Sequence, residues 1–274
     1  TLGAEGIAYN GSMWVAAGQN DTGADTSNVT IAYSYDGLCW IPVIDSISLV
    51  NQGFCVVWGE DIWLVGGYAN SVMAYSYDGK NWAGVPDKRI DTNVQDIAWN
   101  GKNFIAVGNG STNTIAISSD GLNWRGCGNS IFSNVGRGVA WSEKLKIWVA
   151  VGNGTNTIGY SYNGLNWTAV TNSTNIFSVL GRGVYYNGVR FVAGGQGTNS
   201  VAYSDDGINW TGVTGSTSLF TTEGWDGNTT NQYGCVNIVN PIVAVGEDSG
   251  QSSIAYSMDG INWSVIGKHI FETN

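Results

Sequence analysis

Six times along this chain a Ser stands two residues before an Asp-Gly or Asn-Gly pair, and a Trp follows the Gly by three. The first copy is Ile31-Ala32-Tyr33-Ser34-Tyr35-Asp36-Gly37-Leu38-Cys39-Trp40, and the others end at Trp82, Trp124, Trp167, Trp210 and Trp263. The Trp positions are 42, 42, 43, 43 and 53 residues apart. A period of this length marks a solenoid, a propeller or an array. Asp-Gly or Asn-Gly between β-forming residues reverses the chain in a tight hairpin, because Gly accepts positive φ and Asp or Asn bonds the amides that follow it.

The unit from Gly138 to Val170 predicts four short strands. Gly138 to Trp141 and Ile147 to Val151 are apolar runs. Ile158 to Tyr162 alternates, and Asn163-Gly164 turns the chain into Asn166 to Val170. One four-stranded antiparallel sheet cannot cover its own faces, whereas six packed radially can. The expected fold is therefore all-β: a six-bladed β-propeller of four-stranded antiparallel blades, spanning 5–46, 47–88, 89–130, 131–173, 174–216 and 217–274 as one domain. The 40 glycines and abundant aromatic residues in 274 positions agree with little helix.

The recurring Ser-x-Asp-Gly-x-x-Trp resembles a shortened form of the Asp-box, or BNR repeat, of sialidases and related propellers. Repeat proteins of large DNA viruses are worded similarly. The resemblance implies a sialidase-like fold with the hairpins opposite the ligand face, so Asp36, Asp78, Asp120, Asn163, Asp206 and Asp259 are expected to build turns. A sialidase-like site would need an Arg triad, a Tyr paired with Glu, and an acid. Arg137, Arg182 and Tyr233, with Glu5 or Glu223 and with Asp21 or Asp25, imitate only part of it. No catalytic residue is assigned, and a non-enzymatic protein is expected.

A formal charge of −10 with only 11 Lys and Arg disfavours nucleic acid and anionic membrane surfaces as partners. No apolar run is long enough for membrane insertion as a helix. Cys39, Cys55, Cys127 and Cys235 occupy four different places in the repeat and read as packed free thiols, without disulfide, metal or cofactor. The lone His269 reads as a surface residue. Sequons such as Asn10, Asn28, Asn109, Asn153 and Asn172 suit an extracellular or virion surface.

Binding residues are sought where the repeat is broken, since loops vary while the scaffold holds them. Two loops are long: Gln19 to Asn28, and the connection holding Glu223-Gly224-Trp225-Asp226. Trp225 is the Trp without a repeat role. The acidic pairs Asp21 with Asp25 and Glu247 with Asp248 match no calcium loop. The residue before each innermost strand also differs from blade to blade: Glu5, Phe54, Gln95, Arg137, Arg182 and Tyr233. These positions should face the channel mouth, where two guanidinium forks suit a carboxylate or hydroxyl-rich ligand. The polar loops Asn109 to Asn113 and Asn153 to Asn156 are expected to offer amides to sugar hydroxyls. The expected partner is a glycan or a protein surface, bound through Trp225, Arg137, Arg182, Tyr233, Glu5, Gln95 and Asp226. A structural role in a virion or extracellular assembly is the alternative.

Overall fold

A computed structural model describes residues 4–19, 29–68, 71–87, 89–219, 232–237, 242–248 and 251–268. Its chain forms two compact units, residues 1–129 with 134–136, and residues 130–133 with 137–274.

The first unit holds three four-stranded antiparallel meanders. They are β1 (Ala4–Tyr9), β2 (Trp14–Gly18), β3 (Ile31–Ser34) and β4 (Ile41–Pro42); β5 (Gln52–Gly59), β6 (Ile62–Tyr68), β7 (Met73–Ser76) and β8 (Ala83–Gly84); and β9 (Asn93–Trp99), β10 (Phe104–Asn109), β11 (Ile115–Ser118) and β12 (Arg125–Gly126). A bridge from Tyr68 to Asn93 joins the second meander to the third. The second unit repeats the plan with β13 (Val135–Ser142), β14 (Ile147–Asn153), β15 (Ile158–Ser161) and β16 (Thr168–Ala169); β17 (Leu180–Tyr186), β18 (Phe191–Gln196), β19 (Val201–Ser204) and β20 (Thr211–Gly212); and β21 (Gln232–Asn237), β22 (Ile242–Asp248), β23 (Gln251–Ser257) and β24 (Ser264–Lys268). One four-residue helix, α1 (Ser173–Ile176), and two short 3-10 turns are the helical pieces among the described residues. The expected all-β plan of four-stranded antiparallel sheets is what the chain adopts.

The second strand of each sheet explains the core. β6, β10 and β14 are apolar almost throughout and buried on both faces, as strands covered on two sides must be. Trp63, Phe104, Trp148 and Phe191 are fully buried there. Successive sheets stack closely. The hairpin Gly79 lies against Met13 and Val15 of the preceding sheet, and Gly207 lies against Val149 and Ile147. First strands run side by side: a Cβ at Gly6 would sit 2.7 Å from Cys55 Cα, and one at Gly138 would sit 2.9 Å from Gly183 Cα.

The six hairpins share one hydrogen-bond plan. In the third sheet Ser118 Oγ donates to Asp120 Oδ1 and accepts from the Gly121 amide, while Asp120 Oδ1 accepts from the amides of Leu122 and Asn123 at 2.9 and 2.8 Å. Gly121 has φ of +75°, which makes glycine the residue of choice at this corner. Trp124 closes the turn by donating from Nε1 to the Gly121 carbonyl at 2.9 Å. Trp82, Trp167, Trp210 and Trp263 do the same.

The hairpin indoles are not uniformly buried: Trp124 is, but Trp40 is 37% exposed and makes no such bond. One expectation needs correction: the thiols are not all packed. Cys55 is buried and Cys127 half-buried, but Cys39, standing where the other hairpins carry Asn, lies exposed on the turn.

Candidate functional site

The residues that vary between blades do not precede the first strands, as the sequence suggests; they lie inside them. β13 begins at Val135 and β17 at Leu180, so Arg137 and Arg182 are strand residues. The glycines on either side hide the strand from a reading that looks for β-formers. In β17 the pairing runs Gly181 to Gly195 and then Gly183 to Gly194, so Arg182 is an extra residue outside the ladder. The same one-residue shift falls at Glu5 in β1, Phe54 in β5 and Gln95 in β9. A β-bulge of this kind frees one side chain from the alternation of the strand and re-aims it. Tyr233 differs, since β21 pairs in regular register there, opposite Gly246.

Each position has its own surroundings. Glu5 is exposed and its Oε1 accepts from Gln52 Nε2 at 2.6 Å, while Gln95 Nε2 donates to Asn93 Oδ1 at 3.0 Å. Both belong to the first unit. Arg137 and Arg182 belong to the second, on first strands whose backbones meet at Gly138 and Gly183. Arg137 is half-buried, its Nε is enclosed without a hydrogen-bond partner, and burial pulls its guanidinium below its ordinary value. Trp225 and Asp226 lie outside the described residues, as do Asp21, Asp25, Glu223 and His269.

The hairpin carboxylates are acceptors already in use. Partial burial pushes the Asp120 carboxyl up, but the Asn123 side chain, the Asn123 and Leu122 amides and the Ser118 hydroxyl outweigh it and bring it down to about 2. Asp36 is held low by the Cys39 and Leu38 amides, and Asp78 and Asp259 by the amides and side chains of Asn81 and Asn262. A carboxyl held low by donors stays ionised and is unsuited to serve as a general acid at neutral pH.

The polar loops also act inward. Asn113 Nδ2 donates to the Arg89 carbonyl at 3.0 Å and its Oδ1 accepts from the Gly128 amide at 2.9 Å; Asn156 and Asn199 likewise donate to the carbonyls of Ile131 and Ile176. These amides clamp the blade connections, a use of Asn113 and Asn156 that the loop sequences do not announce. Among the described residues no group of three or more His, Cys, Asp or Glu is placed to hold a metal ion, and no helix is long and apolar enough to cross a membrane.

One feature escapes the sequence reading. A cavity of about 380 Å³ on the third sheet is lined by Arg89, Asn113, Trp124, Arg125 and Gly126. Beside it, Asp87 Oδ2 accepts from the Trp124 amide at 3.1 Å, Arg89 Nε donates to the Trp124 carbonyl at 3.1 Å, and Arg89 Nε lies 2.8 Å from Asp87 Oδ1. The available signal was comparative. Asn113 grips the carbonyl of Arg89 where Asn156 and Asn199 grip those of Ile131 and Ile176, so an arginine stands in the place of an apolar anchor.

No protein-family model matches the chain, and no curated protein matches it in sequence. Solved structures do. Virginiamycin B lyase from Staphylococcus aureus is similar with a TM-score of 0.65 at 11% identity, over 96% of this chain and 83% of that one. The WD40 β-propeller domain of Doa1 gives 0.62 at 12% identity, over 97% and 82%. A chain of a nidogen/laminin complex gives 0.55 at 15% identity, over 75% and 76%. At these identities the likeness shows the fold, a β-propeller, and no more. Lyase, WD40 domain and nidogen/laminin chain share that scaffold, so it does not choose between enzyme and binding module.

Proposed function

We propose that this chain is a non-catalytic binding propeller that recognises a glycan or a protein partner through the bulged ends of its first strands and the loops beside them. The observation that carries the reading is Arg137. A guanidinium taken partly out of water, with Nε enclosed and unpartnered, is costly unless an anion or a strong acceptor meets it. Arg182 leaves the adjacent first strand from the matching position, so a ligand carboxylate or a run of hydroxyls accepts from both. Tyr233, Trp225 and Asp226 are the proposed surrounding contacts in the second unit, and Glu5 and Gln95 are proposed as ligand contacts of the first unit by itself.

The hairpins support kinship with the Asp-box, BNR-repeat propellers, and the low carboxyls in them support a non-catalytic reading. A glycan array probed with the wild type, Arg137→Ala, Arg182→Ala and Trp225→Ala tests the assignment. Binding is expected to fall about tenfold or more in each arginine variant. Binding untouched by all three substitutions overturns the location, and sialoside turnover that Tyr233→Phe abolishes overturns the non-catalytic reading.

A second reading, a structural component of a virion or extracellular assembly, is favoured by the first hairpin. Leu38, 85% exposed, stands there with Trp40, Ile41 and Ile44 as an apolar surface, where Leu122 and Leu165 of other hairpins are half-buried. Sedimentation distinguishes the two: concentration-dependent assembly abolished by Leu38→Asp supports the structural role, and a monomer at all concentrations refutes it.

A further inference from the structure

We infer that the cavity on the third sheet is a binding site for a tetrahedral oxyanion, the sulfate or phosphate ester of a small polar ligand, held between Arg89 and Arg125. This site lies in the first unit and does not depend on the ligand proposed for Arg137 and Arg182.

Comparison with the other blades shows what is special here. Where the connection into the fourth sheet carries Ile131, 8% exposed and packed on Gly159, the connection into the third carries Arg89. The residue after the hairpin Trp is Thr168 or Thr211 in the fourth and fifth sheets, and Arg125 in the third. An apolar plug and a hydroxyl are thus replaced by two guanidinium groups. The Arg89 side chain is 55% exposed and does not fill the niche, and the cavity of about 380 Å³ remains. That volume falls in the range of small-ligand pockets, about 300–1,000 Å³.

The rest of the lining is fixed. The Asn113 amide is committed to the Arg89 carbonyl and the Gly128 amide, and a Cβ at Gly126 would sit 2.1 Å from Asn113 Oδ1, so glycine alone leaves room for the clamp. Both Asp87 oxygens are taken, one by Arg89 Nε and the other by the Trp124 amide. Asp91 is engaged by the Ser111 amide and hydroxyl, and burial pushes the Cys127 thiol up to about 11, which keeps it neutral. The lining itself carries two guanidinium groups and no carboxylate, Asp87 beside it being paired with Arg89, on a chain whose formal charge is −10.

The chemistry of the donors selects the ligand. A carboxylate presents its two oxygens in one plane, whereas a sulfate or phosphate ester presents three terminal oxygens in a tetrahedral array that can meet two forks from different directions. Nonspecific anion attraction is opposed by the overall charge, so ester binding that Arg125→Thr or Arg89→Ile weakens reports this site and not Arg137.

Titration calorimetry at constant ionic strength with glucose 6-sulfate, glucose 6-phosphate and glucose tests the assignment. The esters are expected to bind and glucose is not; whichever ester binds more tightly identifies the source. Arg125→Thr and Arg89→Ile copy the other blades and are expected to preserve the melting temperature while weakening ester binding about tenfold or more. Esters that bind no better than glucose, or either folded variant binding as tightly as the wild type, overturn the proposal.

Discussion

Replacing Asp120 measures what a single hairpin contributes, because the chain contains its own control. Asp120 accepts from the Ser118 hydroxyl, the Leu122 and Asn123 amides, and Asn123 Nδ2. At the matching place Asn163 keeps the Leu165 and Asn166 amides at 2.9 and 2.8 Å and the Ser161 hydroxyl at 3.2 Å, and takes nothing from the Asn166 side chain. Asp120→Asn should therefore preserve the turn and lose the charge. The folded carboxyl lies at about 2 against an ordinary 3.8. Each pK unit is worth about 1.4 kcal/mol, and because Asp120 is largely exposed, screening reduces the total to about 1 kcal/mol. Asp120→Ala also strips two amides of their acceptor, as when a helix cap is lost, for a total of about 2 kcal/mol. A carboxyl held low in the fold stabilises above its unfolded value, and that stability is lost as pH falls from about 4 toward about 2. Urea denaturation at pH 7 and near the lower limit reads both effects. At pH 7 the order should be wild type, Asp120→Asn, Asp120→Ala, and the gap between the first two should close in acid. Equal losses in both variants, or a gap that does not change with pH, would refute the account of the hairpin.

Two further outcomes follow from packing and exposure. Gly138→Ala places a methyl 2.9 Å from Gly183 Cα on the neighbouring strand, so thermal unfolding should show a loss of about 1–3 kcal/mol from overpacking. In the native protein iodoacetamide should label Cys39 first and Cys127 slowly, the latter because burial raises its thiol to about 11, while Cys55 should react only on unfolding; peptide mapping by mass spectrometry checks the order.

The sheets are legible in the sequence because every hairpin encodes itself locally. Ser118, Asp120, Gly121 and Trp124 complete the hydrogen bonds of the turn itself within seven residues, so the local pattern suffices. The bulges are not local in this sense. That Arg182 falls outside the ladder is a mismatch between β17 and β18, and no inspection of β17 alone reveals it. Exposure misled for a related reason: Asn113 and Asn156 look like loop residues facing solvent, yet their amides reach carbonyls more than 20 residues away. The Arg89 and Arg125 cavity combines both difficulties, since Asp87 binds the chain to Trp124 across a connection that the repeat pattern passes over.

The bulged first strands also bear on how such a chain can change over generations. A residue that takes no part in the ladder and interrupts no hydrophobic alternation can be exchanged without shifting the pairing of its neighbours. Glu5, Phe54, Gln95 and Arg182 already differ in charge, size and polarity on nearly the same backbone. Gly6 beside Glu5 and Gly138 beside Arg137 are pinned by backbone 2.7 and 2.9 Å from an added carbon. Exchange is thereby channelled: the glycines leave no room for a side chain, while the bulges accept one substitution at a time without disturbing the pairing around them.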